Sequence, residues 1–165
     1  MSNIKLIVDN REIKLTEDDI KKIGIFIENQ RFNRVRLLGE YFFIDKAGKV
    51  YQTTDHYYID DNSLYNVGNY CTDGDLMRNR AKQETLNRLL WRFSMCNGWD
   101  DKFLYDATAM KFYIRNSCFD SGYTIGAVST SYAQGVVYFK SEEIARRAIN
   151  EIIIPFESGE LFKGK

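Results

Sequence analysis

The sequence predicts an α+β protein in which antiparallel β-hairpins carry three main helices. Three observations lead to this prediction. Apolar residues make up 44% of the 165 residues and aromatic residues 15%, which is typical of a folded chain with a core. Short segments rich in β-branched and aromatic residues are bounded by turn residues. Three longer segments carry apolar residues at helical spacing.

Residues 1–39 are expected to form a small N-terminal unit. Residues 4–8 are rich in strand-forming residues and residues 12–15 alternate polar and apolar side chains, so a hairpin is predicted around the Asp-Asn turn between them. Thr16 precedes three acidic residues and can cap a helix through its hydroxyl. Apolar residues at helical spacing extend this helix to about Asn29.

A larger unit, residues 40–165, is predicted to begin with an aromatic hairpin. Its strands are residues 41–44 and 49–54, joined by the turn sequence Asp-Lys-Ala-Gly. A polar, tyrosine-rich segment follows over residues 55–65, and it is interpreted either as a connecting loop or as a contact surface. A further short strand is expected around residues 69–71.

A long helix is predicted after this strand. Thr72 or Asp73 can cap its start, and Asn97-Gly98 is a stop signal at its end. One face carries apolar residues at helical spacing, and this face should be buried. The residues of this face are Leu86, Leu89, Leu90 and Phe93.

The last part of the chain is predicted to contain three strands and a closing helix. The strands are residues 111–114, 123–128 and 135–139, and residues 121–139 carry no charge, as expected for strands of a well-covered sheet. Ser141 should cap the closing helix. Pro155 should end it, because proline has no backbone N–H to donate.

Two parts of the larger unit resemble each other. Residues 70–78 and residues 138–146 share an order of strand, cap, acidic first turn and basic residue, at a shift of 68 residues. This pattern predicts that the larger unit contains two similar β/α segments, residues 40–98 and 102–156. Many junctions between a strand and a helix have this order, so an internal duplication is one of two interpretations.

Composition and charge exclude several classes of function. The 23 basic and 23 acidic side chains cancel, which excludes both a polycation that coats nucleic acid and a strongly acidic nucleic-acid mimic. No uncharged apolar run approaches the roughly 20 residues that a membrane helix needs, and no signal sequence opens the chain. We therefore expect a soluble, cytosolic protein with no membrane contact.

The sequence lacks the residue sets of common catalytic and metal sites. The three cysteines are widely spaced and His56 is the only histidine, so a zinc site would lack ligands. No nucleophile partner for His56 is recognisable nearby, and the phosphate-binding motifs GxxxxGK[ST] and GxGxxG are absent. Asp100 and Asp101 could bind a metal only with distant partners, and a capping role is the simpler interpretation. We predict no enzyme, no catalytic residues, no cofactor and no metal.

Four segments of the larger unit carry a family resemblance. They are EYFFIDKAGKVYQTT (residues 40–54), NVGNYCT (66–72), RLLWRFSMCNG (88–98) and GVVYFKSEEIARRAINEI (135–152). Their order is similar to that in a group of small accessory proteins of phages and prophages of Gram-positive bacteria. The resemblance implies an origin in a mobile element and a location in the cytoplasm of the bacterial host. Proteins of this kind often bind and disable host defence machinery, including CRISPR nucleases.

Two surfaces are candidates for binding. Tyrosines next to carboxylates suit a basic partner surface; the expected contact residues of this kind are Tyr57, Tyr58, Asp60, Asp61 and Tyr65. Arginines along the long helix can bind the phosphates of nucleic acid, although a solvated helix face explains them as well. The expected contact residues on the helix are Arg78, Arg80, Arg88 and Arg92.

The resemblance implies a phage-encoded accessory protein, and the tyrosine-rich segment is its expected contact surface. We expect it to bind and inhibit a host defence nuclease, such as a CRISPR nuclease, without catalysis. The alternative is a regulatory protein that binds nucleic acid through the arginine-rich helix face.

Overall fold

The structure is a computed structural model that describes residues 5–8, 11–14, 30–116 and 122–161. Its fold is α+β, as predicted. The strands are β1 Lys5–Val8, β2 Arg11–Lys14, β3 Glu40–Ile44, β4 Val50–Thr54, β5 Lys111–Asn116, β6 Tyr123–Val128 and β7 Tyr138–Phe139. The α-helices of the described residues are α1 Ile59–Asn66, α2 Gly74–Cys96, α3 Lys102–Tyr105, α4 Glu142–Ala148 and α5 Ile154–Glu157. A 3₁₀ turn covers Gln30–Phe32, and a π-helical segment, Ile149–Ile153, joins α4 to α5.

The strand pairs found in the described ranges are antiparallel. β1 pairs with β2 and β3 pairs with β4, so the two predicted hairpins are confirmed. β5 is the central strand of a three-stranded sheet with the order β6-β5-β7. β7 has only two residues, whereas a strand over residues 135–139 was predicted. Gly135 has a φ of +77°, a left-handed conformation that interrupts an extended chain before β7.

Helix α2 is the long helix that the sequence predicted. Oδ1 of Asp73 accepts hydrogen bonds of 3.0 Å from the backbone N–H groups of Asp75 and Leu76, which confirms the cap. The helix ends at Cys96, and Gly98 follows with a φ of +83°. The helix predicted between Thr16 and Asn29 lies outside the described residues. Within the described ranges, no helix is both long and apolar enough to cross a membrane.

The closing helix extends further than predicted. Oγ of Ser141 accepts a hydrogen bond of 3.2 Å from the backbone N–H of Ile144, so the predicted cap is confirmed. The prediction that Pro155 ends the helix is wrong, because α5 continues to Glu157. Pro155 lies in the first turn of α5, after the π-helical segment has changed the hydrogen-bonding pattern, and proline is tolerated at the start of an α-helical segment.

The chain divides into two compact units, residues 1–81 and residues 82–165. This division differs in position from the boundary after residue 39 that the sequence suggested. Each unit has its own apolar cluster. The buried residues of the first cluster are Ile44, Cys71, Met77 and Ala81. The buried residues of the second are Leu90, Phe139, Ala145, Ala148 and Ile153.

Both units contain a hairpin whose first strand pairs with a later segment, and this segment leads into a helix. In the first unit Phe42 of β3 pairs with Cys71, and α2 follows. In the second unit Phe112 of β5 pairs with Phe139, and α4 follows. Both of these pairings are antiparallel. This shared order agrees with the predicted similarity of two segments, while their origin by duplication stays a prediction.

Candidate functional site

Exposed apolar side chains are concentrated around α1 in the first unit. We define the aromatic surface by its residues, Tyr57, Tyr58, Ile59, Tyr65 and Val67. Tyr58, Ile59 and Val67 expose 68%, 79% and 73% of their area. Tyr58 is the N-cap residue of α1 and Val67 its C-cap residue, while Ile59 and Tyr65 lie in its first and last turns. Large apolar side chains exposed together mark interaction sites.

Helix α1 was not expected, because its sequence lacks the usual signals. Its apolar residues do not form one face, and its N-cap is Tyr58 rather than a Ser, Thr, Asp or Asn. Asp61 supplies the missing cap, since its Oδ2 accepts hydrogen bonds of 3.0 Å from the backbone N–H groups of His56 and Tyr58. The carboxylates of Asp60 and Asp61 also lie at the positive end of the helix dipole. Most of the tyrosine-rich segment is therefore helical.

An ion pair between Arg34 and Asp55 supports the aromatic surface. Nε and Nη2 of Arg34 donate to the two oxygens of Asp55 at 2.8 and 2.9 Å, and Nη1 donates to Oδ1 of Asn62. Asp55 is fully buried and accepts two further hydrogen bonds, from the backbone N–H of Tyr57 at 2.7 Å and from the phenol of Tyr70 at 3.0 Å. The guanidinium holds the pKa of Asp55 below its usual range, against the opposing effect of burial.

Tyr57 is fixed by several contacts with this network. Its ring centroid lies 4.1 Å from Cζ of Arg34, and its phenol donates a hydrogen bond of 3.0 Å to the carbonyl oxygen of Val35. Its backbone has a φ of +59°, which is unfavourable for a bulky side chain and which these contacts compensate. Tyr65 also faces the Arg34 guanidinium, at 5.9 Å. The exposed parts of both rings are therefore presented in a defined orientation.

Asp61 lies inside the fold, although the sequence suggested it as a contact residue. Besides capping α1, its carboxylate accepts a hydrogen bond of 2.7 Å from the phenol of Tyr41. Burial disfavours the charged carboxylate, but the hydrogen bonds from Tyr41, His56 and Tyr58 outweigh burial and lower the pKa of Asp61. Its oxygens are thus used by the chain itself, and Asp60 is the exposed carboxylate of α1.

The charge of the aromatic surface is therefore smaller than the sequence suggested. Asp55 and Asp61 are buried, and Arg34 compensates the charge of Asp55. Only Asp60 of these three aspartates is exposed. The surface is aromatic and aliphatic, with one accessible carboxylate, so apolar contact rather than electrostatic attraction dominates what it can do.

The four arginines suggested for nucleic-acid binding divide between the two units. In the first unit, Nη2 of Arg78 lies 2.7 Å from Oδ1 of Asp75, and Arg80 donates a hydrogen bond to the carbonyl oxygen of Gly68. Arg88 and Arg92 belong to the second unit and lie one turn apart on α2. Between them in sequence, Trp91 exposes 54% of its area. Trp91 was not among the predicted contact residues, although an aromatic residue between two arginines was a usable signal.

A cleft of about 880 Å³ in the first unit combines arginines and aspartates. Arg31 lies 3.7 Å from Asp73, and Arg78 pairs with Asp75. Asp73 also caps α2 with its carboxylate. Most of the charges that line this cleft are therefore balanced within the chain.

The sequence Trp99-Asp100-Asp101 has a structural role. Trp99 is buried, and its Nε1–H donates a hydrogen bond of 3.2 Å to Oδ1 of Asp101. Oδ1 of Asp100 accepts a hydrogen bond of 3.0 Å from the backbone N–H of Lys102 at the start of α3. Trp99 thus packs in the interior, while Asp101, the N-cap residue of α3, makes no side-chain cap hydrogen bond, so the predicted capping role is not confirmed. Among the described residues, no three His, Cys, Asp or Glu side chains are grouped so that they could hold a metal ion.

Comparisons with known proteins give no identification. No protein-family model matches this sequence, and neither a curated protein nor a solved structure shows significant similarity to it.

Proposed function

We propose that this protein is a non-catalytic binding protein that docks on a partner protein through the aromatic surface. The observation that carries the proposal is the exposure of Tyr58, Ile59 and Val67 at the two ends of one short helix. Tyrosine is enriched among residues that dominate binding energy, because it offers a large contact area and a hydroxyl with few rotatable bonds. An exposed aliphatic residue beside it contributes favourably to the free energy of binding when a partner removes it from water.

Preorganisation of the aromatic surface favours tight binding. The Arg34–Asp55 ion pair and the Asp61 cap hold α1 and Tyr57 in place before any partner arrives. Binding loses affinity when side chains and loops must be ordered at the interface, so a surface that is already ordered avoids part of this cost.

The partner class that we propose is a host defence nuclease, such as a CRISPR nuclease. The resemblance of the sequence to phage accessory proteins supports this choice. The contact with the nuclease would be mainly apolar, through the exposed Tyr58, Ile59 and Val67, with Asp60 as the one accessible carboxylate beside them. A phage protein bound there would act in the cytoplasm of the bacterial host and would block the nuclease without any chemistry of its own.

A cleavage assay with a panel of purified RNA-guided nucleases tests this proposal. The protein should inhibit at least one nuclease, and the double variant Tyr58→Ala/Ile59→Ser should need at least about tenfold more protein for the same inhibition. Tyr105→Ala is the matched control, because Tyr105 is an equally exposed tyrosine of the second unit. All these side chains are exposed, so the variants should melt like the unchanged protein.

Two results would contradict the proposal separately. If the double variant inhibits as strongly as the control, the aromatic surface is not the contact. If the protein neither binds nor inhibits any nuclease of the panel, the partner class is wrong, whatever the aromatic surface contacts.

A further inference from the structure

A groove of about 290 Å³ lies in the second unit, between α2 and the residues that precede β7. The residues that line it are Asn87, Arg88, Trp91, Gly135, Val136 and Val137. They include one arginine and no carboxylate. The groove is thus positive on one side, uncharged on the other, and bordered by a large aromatic ring.

Trp91 is exposed over half of its area in a chain that buries its other tryptophan, Trp99. The residues on the opposite side of the groove, Gly135, Val136 and Val137, have small side chains or none. Gly135 has open space where a side chain would begin, and Val136 is itself exposed. A flat ring can therefore enter beside the indole without meeting a side chain at Gly135. The face of an indole is a favourable stacking partner for a planar base.

The charges beside Trp91 favour an anion. Residues 82–96 of α2 contain Lys82, Arg88 and Arg92 against the single acidic residue Glu84. Nε of Arg88 donates a hydrogen bond of 3.3 Å to the carbonyl oxygen of Glu84, within its own helix. On the facing side, residues 129–137 carry no charge. The guanidinium groups are the charged groups nearest to the indole in sequence, and guanidinium binds phosphate well.

We infer that the second unit binds single-stranded nucleic acid in this groove, with a base stacked on Trp91 and phosphates on Arg88 and Arg92. A single strand is favoured over a duplex because paired bases already stack on their neighbours and expose only their edges. An acidic peptide satisfies the arginines but has no planar ring for the indole. This inference is independent of the aromatic surface, which lies in the other unit.

Fluorescence anisotropy with a labelled oligothymidylate and a labelled oligouridylate of about fifteen nucleotides tests the inference. The protein should bind at about 50 mM salt and lose affinity towards 200 mM, with a log–log slope near −1.4 for two phosphate contacts. Binding should quench tryptophan fluorescence, because Trp91 stacks on a base. Trp91→Ala should weaken binding at least about tenfold, and Arg88→Ala/Arg92→Ala should remove most of the salt dependence.

Matched controls separate this groove from general surface charge. Tyr105→Ala removes another exposed aromatic ring of the second unit, and Arg146→Ala removes an exposed arginine of α4, which pairs with Glu142. Both controls should bind like the unchanged protein.

Four results of the binding and competition experiments would overturn the inference. The first is no binding at low salt, and the second is equal binding of duplex DNA and single strands. The third is equal binding by Trp91→Ala and the control variants. The fourth is displacement of the oligonucleotide by polyglutamate that is weaker for Trp91→Ala than for the unchanged protein. The last outcome would assign the groove to an acidic peptide. The quenching measurement uses the unchanged protein, so it tests the stacking on Trp91 even if the Trp91 variant fails to fold. Tryptophan fluorescence that stays unchanged on binding would also overturn the inference.

Discussion

The guanidinium of Arg34 and the carboxylate of Asp55 form two parallel hydrogen bonds, of 2.8 and 2.9 Å, across 21 residues of sequence. This ion pair connects the segment before β3 to the segment that follows β4. Asp55 is fully buried, so its charge depends on Arg34 and on the hydrogen bonds from Tyr57 and Tyr70. Burial and the hydrogen bond to Asp55 raise the pKa of Tyr70 to about 12, so its phenol stays protonated as a donor at neutral pH.

Replacement of Arg34 should therefore destabilise the protein. Arg34→Ala leaves the buried carboxylate of Asp55 without its half-buried cation, and a buried charge that loses its partner is destabilising. We expect the melting temperature to fall by at least about 5 °C in a thermal unfolding experiment followed by circular dichroism. Arg36→Ala is the matched control, because Arg36 is an exposed arginine two residues away. Equal melting temperatures for the two variants would show that the ion pair contributes nothing.

Acid should destabilise the protein through Asp55 and Asp61. The pKa of each carboxylate is lower in the folded chain than its ordinary value of 3.8. The unfolded chain therefore takes up protons first as the pH falls, so the stability from these groups is complete above the ordinary pKa and is lost below it. The urea midpoint should stay nearly constant from about pH 7 to pH 5 and then fall below about pH 4.

The variant Asp55→Asn identifies the source of this acid dependence. It lacks the titrating carboxylate, so its free energy of unfolding should be lower at neutral pH but should change less between about pH 4 and pH 2. Parallel curves for the variant and the unchanged protein would assign the acid dependence to other groups.

The close approach of Tyr113 to Gly126 should make a methyl group at position 126 unfavourable. The two residues pair across β5 and β6, and a Cβ at Gly126 would lie 2.5 Å from Cζ of Tyr113. Gly126→Ala should lower the free energy of unfolding by about 1–3 kcal/mol, as overpacking does. Chemical denaturation measures this change.

A double-mutant cycle tests the stated cause. If the clash with the tyrosine ring is responsible, Gly126→Ala should cost clearly less in a Tyr113→Ala background, which opens the space. A cost that is the same in both backgrounds would point to the backbone rather than to the ring.

Several elements could be predicted because their signals are local. The cap of α2 requires only Asp73 and the two N–H groups that follow it closely, and its end is marked by Gly98. The β3–β4 hairpin likewise depends on a turn, in which Oδ1 of Asp45 accepts hydrogen bonds from the N–H groups of Ala47 and Lys49. Such interactions span at most four residues, so the order of residue types is sufficient to reveal them.

Helix α1 could not be predicted in this way. Its cap comes from Asp61, and the same carboxylate is held by the phenol of Tyr41, 20 residues earlier. Its N-terminal side is further fixed by Tyr57 on Arg34. These contacts exist only after β3 and the segment before it have folded against α1, and they outweigh the weak helical pattern of the sequence.

By itself, the sequence determined the α+β class, the hairpins, the long capped helix and the uncharged stretch from residue 121 to residue 139. The tertiary structure decided which charged and aromatic residues remain for a partner. Asp60 and Asp61 are neighbours of the same type, yet one is exposed and the other is buried. Arg34 is half-buried and contacts Asp55, Tyr57 and Asn62, whereas Arg36 is exposed. The physical reason is that burial of a charge requires a compensating partner, and here that partner comes from a distant part of the chain.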